Sequence, residues 1–171
     1  VTRLDWRWRL LNRLEHKSIK TGEYRLEPGM LPPQLLNLLD SGKVISYRFT
    51  IVEGWSIKEL LVALGRNPVL RHTLETVNEL RGLEGLPAGN PEGWFLPETY
   101  LYTRGTSDLQ LLQRANRAMH SVLNQAWEKR LSELPLENAY EALVLASIIE
   151  KETAQADERG AIAGVFVRRL N

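Results

Sequence analysis

Apolar positions change period partway along the chain. Between Ser18 and Glu27 they are sparse, and Ile19, Tyr24 and Leu26 are spaced as in a short strand that Pro28 and Gly29 close. Pro32 and Pro33 then precede Leu35, Leu36, Leu38 and Leu39, stopped by Ser41 and Gly42, which predicts a short buried helix. Val44 to Val52 alternates loosely and is rich in β-branched and aromatic residues, so a second strand is expected there. The clearest helix begins after Ser56: Ile57, Leu60, Leu61 and Leu64 recur at helical spacing, Ser56 and Glu59 form a capping-box pattern, and Gly65 suits the C-terminal turn. Leu70, Leu74 and Val77 suggest another short helix. Residues 82 to 106 gather five glycines with Pro87, Pro91 and Pro97 around Trp94, Phe95, Tyr100 and Tyr102, as expected of an irregular or short-stranded wall. From Ser107 the period is helical almost to the end. Ser107 with Gln110 makes a second capping box, and Leu112, Ala115, Met119, Val122 and Ala126 follow until Pro135 interrupts. The next helix is expected over about Glu137 to Ala154, and a last one from near Asp157, with Ile162, Val165, Phe166 and Leu170 on one side.

Composition narrows the function classes. The 171 residues are 43% apolar and 25% charged, which suits a packed domain or two small ones and excludes disorder as the main state. With 22 Lys+Arg against 21 Asp+Glu, the net charge of +1 lacks the basic excess of a nucleic-acid binder. The absence of cysteine excludes a disulfide framework, a thiolate metal site and a cysteine nucleophile. His16, His72 and His120 have no paired spacing, so no metal is expected, and no glycine motif cradles a phosphate-bearing cofactor. The longest nearly unbroken apolar run, Ala142 to Ile149, falls well short of the roughly 20 residues of a membrane span. Trp6, Arg7, Trp8 and Arg9 suit a non-specific anionic contact, or the start of a region just outside a membrane anchor.

Candidate chemistry concentrates on residues 139 to 153. This segment is apolar on all sides for two turns, which predicts a central helix buried by its neighbours, and Glu150 and Glu152 follow at once. Two residues apart on a helix, the two acids point to nearly opposite sides and cannot share one proton or clamp one metal. A carboxyl set against an apolar wall has its charged form disfavoured, which suits it to giving and taking a proton near neutrality. Periodicity does not choose between them. It is equally compatible with a helix that simply reaches solvent at Glu-Lys-Glu.

A resemblance adds to this reading. Leu145-Ala-Ser-Ile-Ile-Glu150-Lys-Glu-Thr153, followed by Glu158-Arg159 and Val165-Phe166-Val167-Arg168-Arg169-Leu170, resembles the catalytic region of the endolytic murein transglycosylases, the YceG-like family. Gly22-Glu-Tyr-Arg, the end of the Leu35 to Gly42 helix, Val52-Glu53-Gly54, and Glu92-Gly93-Trp94-Phe95-Leu96-Pro97-Glu98-Thr99-Tyr100 precede it in the family's order. The resemblance implies an α+β fold: a lead-in over residues 1–17, a small LysM-like β-helix-β subdomain over 18–54, and a mainly helical, lysozyme-like catalytic part over 55–171. It further implies cleavage of peptidoglycan glycan strands at the bond from N-acetylmuramic acid to N-acetylglucosamine. Glu150 would act as acid and then base, leaving 1,6-anhydro ends. One acid then suffices, where ordinary glycoside hydrolases use two carboxylates.

Glu98 and Glu152 are candidate helpers, and Trp94 and Tyr100, before Phe95, are candidates to stack on sugar faces. Glu98 stands where family members commonly carry Asp, and Arg168 where many carry Asn. Peptidoglycan strands and peptidoglycan synthases are the implied partners, with no cofactor and no nucleic acid. The implied location is the periplasmic side of a bacterial inner membrane, held by a single-pass anchor outside this stretch. The family is expected to continue past Asn171 with a segment that completes the cleft. The rivals are a non-catalytic peptidoglycan-binding or scaffold module, in which Glu150 is structural, and an intracellular helical adaptor.

Overall fold

The computed structural model describes residues 18–86, 90–153 and 155–170, without the side chain of Arg81. The lead-in over 1–17, with its Trp-Arg cluster and His16, lies outside the described residues. The architecture is mixed α+β. In chain order it comprises α1 (Pro32–Ser41), β1 (Ser46–Thr50), α2 (Ile57–Gly65), a 3-10 turn (Val77–Gly82), β2 (Thr99–Thr103), α3 (Asp108–Glu128), α4 (Ala139–Glu152) and α5 (Arg159–Leu170). Contacts divide the chain into two units, one running to Arg48 with Leu101–Gly105 added, the other made of Phe49–Tyr100 and the residues from Thr106 onward.

In the first unit, Pro32 and Pro33 open α1 with φ already set and no amide needing a partner. The Gln34 side chain accepts the Leu31 N–H at 2.8 Å, and Gly42, at φ +66°, ends the helix in the left-handed conformation that glycine adopts without strain. The strand expected over Ser18 to Glu27 does not form. That stretch is extended but tied only at points, through Lys20 N–H to the Leu39 carbonyl and Ile45 N–H to the Glu23 carbonyl, and Ile19 and Leu26 are exposed. Gly22 passes so close to Val44 that a Cβ there would lie 2.2 Å from its side chain. Glu23 accepts bonds from Arg104 Nε at 2.8 Å and the Tyr47 hydroxyl at 2.7 Å. The Arg104 bond first, and the Tyr47 bond next, hold its carboxyl below the usual carboxylate range.

β1 pairs with β2 and not with the 18–27 stretch. The Thr50 and Thr99 hydroxyls meet at 2.8 Å and the rings of Tyr47 and Tyr102 at 5.8 Å, so one strand ascends as the other descends. Both strands pass from one unit into the other.

The second unit holds the larger core. Ser56 N–H donates to Glu59 at 2.8 Å and the Glu59 N–H to Ser56 Oγ at 3.4 Å, so the capping box starts α2 as its sequence suggests, and Ile57, Leu60 and Leu64 are buried. The Ser107–Gln110 box starts α3 in the same way. The buried face of α3 carries Leu111, Leu112, Ala115, Met119 and Leu123, while Val122 is exposed.

The helix expected around Leu70 and Leu74 is replaced by extended chain. Its amides are taken elsewhere: Arg71 exchanges backbone bonds with Thr106 and Asp108, and the Asp108 carboxylate accepts the N–H groups of Thr73 at 2.8 Å and Leu74 at 3.1 Å. The central burial expected of α4 is also corrected. α4 packs on α3 and α5, yet none of its residues is fully buried, and Tyr140, Val144 and Ile148 form an exposed row at four-residue steps. An all-round apolar sequence permits burial, but neighbours have to supply it, and among the described residues they cover only part of this helix.

Candidate functional site

α4 begins at Asn138, whose side chain accepts the Glu141 N–H at 3.1 Å. From there the helical period puts Tyr140, Leu143, Val144, Ser147, Glu150 and Lys151 on one face, and all six border a cavity of about 700 Å³ within the second unit. Buried Ile51, Ile57, Leu60, Phe95 and Met119 contribute its apolar lining, with Glu53, Gly54, Trp55, Asn90 and Glu92 adding polar groups and one indole. The turn from Val52 to Trp55 is closed by Trp55 N–H to the Val52 carbonyl, with Gly54 at φ +75°, where an L side chain would be strained. Lys151 Nζ donates to the Gly54 carbonyl at 2.9 Å, tying that turn to the end of α4. Glu92 in turn accepts the Ile57 N–H at 3.0 Å, joining the glycine-rich loop to the start of α2.

Glu150 stands in the last turn of α4, with its side chain 33% exposed, and its Oε2 lies 2.9 Å from Arg159 Nη2. Its immediate partner is therefore a guanidinium and not the apolar wall that the sequence suggested. Glu152 is exposed and does not border the cavity. The structure thus separates two acids that periodicity left equivalent.

Trp94 and Tyr100 are placed apart from the cavity. Trp94 is 8% exposed, stacks on Tyr140 with centroids 5.9 Å and planes 5° apart, and meets the His120 ring at 4.8 Å. Tyr100 is 9% exposed and donates its hydroxyl to the Leu96 carbonyl at 2.8 Å. Burial, and then the Glu98 carboxylate, push that phenol up to about 12, so it stays neutral at physiological pH. Both rings are core packing, and neither offers an open face to a sugar. Glu98 is exposed, accepts the Thr99 N–H at 2.9 Å, and borders a shallow recess of about 330 Å³ that adjoins the cavity through Ile51, Val52, Glu53 and Pro97. Of the candidate site residues singled out from sequence, Glu150 and Phe95 border the larger cavity, Phe95 as part of its buried apolar lining.

The aromatic lining of the cavity comes from Trp55, Tyr140 and the buried Phe95. Tyr140 has one face on Trp94 and is 48% exposed, which leaves ring surface for a ligand. Trp55 adjoins the quoted Val52-Glu53-Gly54 block, so its position was a sequence signal, whereas Tyr140 and Lys151 gain their roles only through contacts with distant segments. Among the described residues, no group of three His, Cys, Asp or Glu is arranged to hold a metal. One carboxyl in the wall of a cavity that also carries aromatic rings, with a guanidinium at 2.9 Å, can exchange a proton with a bound neutral polyol or sugar.

The chain is similar to known proteins. The model of the YceG-like family matches residues 1–171. Two curated proteins named endolytic murein transglycosylase, from Streptococcus pneumoniae serotype 2 strain D39 and from strain R6, are each 26% identical to the chain over 186 aligned residues. Each alignment covers 91% of this chain and 33% of the relative, so the chain spans about a third of the length of these relatives.

Proposed function

Since the chain belongs to the YceG-like family, we propose that it carries the acid of an endolytic peptidoglycan transglycosylase, a lyase acting on glycan strands, and that Glu150 is that acid. The observation that carries the reading is the position of Glu150 in the wall of the 700 Å³ cavity, at the end of α4, with the Arg159 guanidinium at 2.9 Å. In its protonated form Glu150 gives its proton to the oxygen joining C1 of N-acetylmuramic acid to N-acetylglucosamine. The C1–O bond breaks with its electron pair going to that oxygen. The Glu150 carboxylate then takes the proton of the muramic acid C6 hydroxyl as O6 bonds to C1, which yields a 1,6-anhydro end and restores the acid without water.

Trp55 and Tyr140 take over the stacking role first considered for Trp94 and Tyr100. The first unit serves as the LysM-like element that holds the strand. The family resemblance supports a periplasmic site of action beside peptidoglycan synthases, on a membrane anchor. Among the described residues no helix is long and apolar enough to cross a membrane. A topology reporter fused after the last helix tests that location, and a cytoplasmic signal overturns it.

Purified glycan strands digested by the protein as its gene encodes it, and by its Glu150→Gln variant, test the chemistry. The variant is expected to lose at least about 10²-fold in rate, the usual contribution of a general acid–base group. Anhydro ends formed equally by both proteins would overturn the assignment. Reducing ends in place of anhydro ends would keep Glu150 as the acid and remove the ring closure. Strand binding without turnover by either protein would leave a glycan-binding module.

A further inference from the structure

Glu150 reaches the cavity from the end of a helix, and a glutamate there has three side-chain torsions to fix. The adjoining chain supplies the restraint. Thr153, buried at the end of α4, donates its N–H to the Ile149 carbonyl at 3.1 Å and its hydroxyl to Glu158 at 2.9 Å, and accepts the Gln155 N–H at 3.0 Å. Glu158 N–H returns to the Gln155 carbonyl, and Ile162 N–H to the Glu158 carbonyl. This short bonded connection sets the first residue of α5, Arg159, beside the last turn of α4. Its guanidinium meets Glu150 Oε2 at 2.9 Å, while Arg159 Nε is buried with no hydrogen-bond partner among the described residues.

An unpartnered buried donor is a cost that folding alone would avoid, and a partly exposed ion pair returns little stability. The arrangement suits the placement of Glu150 better than it suits the fold. We propose that Arg159 is a positioning residue that holds one oxygen of Glu150 so that the other, Oε1, carries the exchanged proton.

The inference rests on the reading of Glu150 as the acid. Among the described residues Oε1 has no hydrogen-bond partner, and Glu150 borders the cavity. When Oε1–H gives its proton to the leaving oxygen, the charge left on the carboxylate already faces a permanent cation. The proton returns to Oε1 from the C6 hydroxyl, so Arg159 neither gains nor loses one.

Kinetics of glycan cleavage by the protein as its gene encodes it, with Arg159→Met, Arg159→Lys and Glu150→Gln in parallel, test this. Arg159→Met is expected to lower kcat on the order of 10- to 100-fold, the scale of a misplaced reacting group, with KM within about threefold of native. Arg159→Lys, which keeps a cation within reach, is expected to recover most of the loss. A native kcat in Arg159→Met beside an inactive Glu150→Gln overturns the positioning role and leaves Glu150 standing. A fully active Glu150→Gln overturns the reading beneath it. A raised KM at native kcat makes Arg159 a glycan contact instead. Should Arg159→Met fail to fold by circular dichroism, Arg159→Gln is read the same way, and misfolding of both makes Arg159 a brace and overturns the proposal.

Discussion

Asp108 is 1% exposed yet charged, because its carboxylate accepts the N–H groups of Thr73, Leu74 and Leu109 and the Thr73 hydroxyl at the start of a helix. Burial raises its proton affinity, but these bonds together outweigh that and hold the carboxyl below its ordinary value. A folded-state pKa below the unfolded one contributes stability above the unfolded value, near 3.9, and loses it as pH falls through the folded value. Asp108→Asn is therefore expected to cost about 3 kcal/mol at neutral pH by denaturant unfolding, with the gap from native shrinking as the pH is lowered below about 4. Nothing in the sequence singled out this residue. Ser107 and Gln110 advertise the helix start locally, whereas the partners of Asp108 lie about 35 residues upstream and become neighbours only on folding. Glu150 stood out in the sequence for the opposite reason: the helix end offered it and Glu152 alike, and the motif blocks of the family resemblance pointed to it within one short stretch.

At the level of elements, α4 is the more apolar of the two helices α3 and α4, yet α3 is the more deeply buried. Leu111 and Leu112 of α3 are wholly buried, while Ile148 of α4 keeps 40% of its surface. Leu111→Ala is expected to cost about 3 kcal/mol, and Ile148→Lys less than about 0.5 kcal/mol, in the same unfolding series. An equal cost for both would mean that α4 is covered in solution by something beyond the described residues. Hydrophobic period located both helices and both capping boxes, because these depend on residues within one turn of each other. It misjudged residues 70–76 and the partner of β1, because each was decided by a segment far along the chain. The same limit explains the site: Trp94 and Tyr100 look like sugar platforms in a glycine-rich stretch, but α3 and α4 cover them, and Trp55 and Tyr140 are left to face the cavity.

Over the molecule as a whole, burial is uneven. Hydrogen exchange is expected to show its strongest protection in α2 and α3, which carry most of the buried helical positions, and its weakest over residues 18–31 and in α5, which has none. Uniform protection across all five helices would contradict that distribution. α4 occupies a particular place in it. About 21 Å long by its 14 residues, it is fastened near its start by the Tyr140–Trp94 stack and near its end by Lys151 on Gly54 and Glu150 on Arg159. In mechanical terms it is a beam clamped at two points, stiff between them and not embedded along its length. Such a beam does not creep. Moving it would mean releasing a clamp, so the Tyr140–Trp94 stack and the contacts of Lys151 and Glu150 are what hold the two ends of α4 in place.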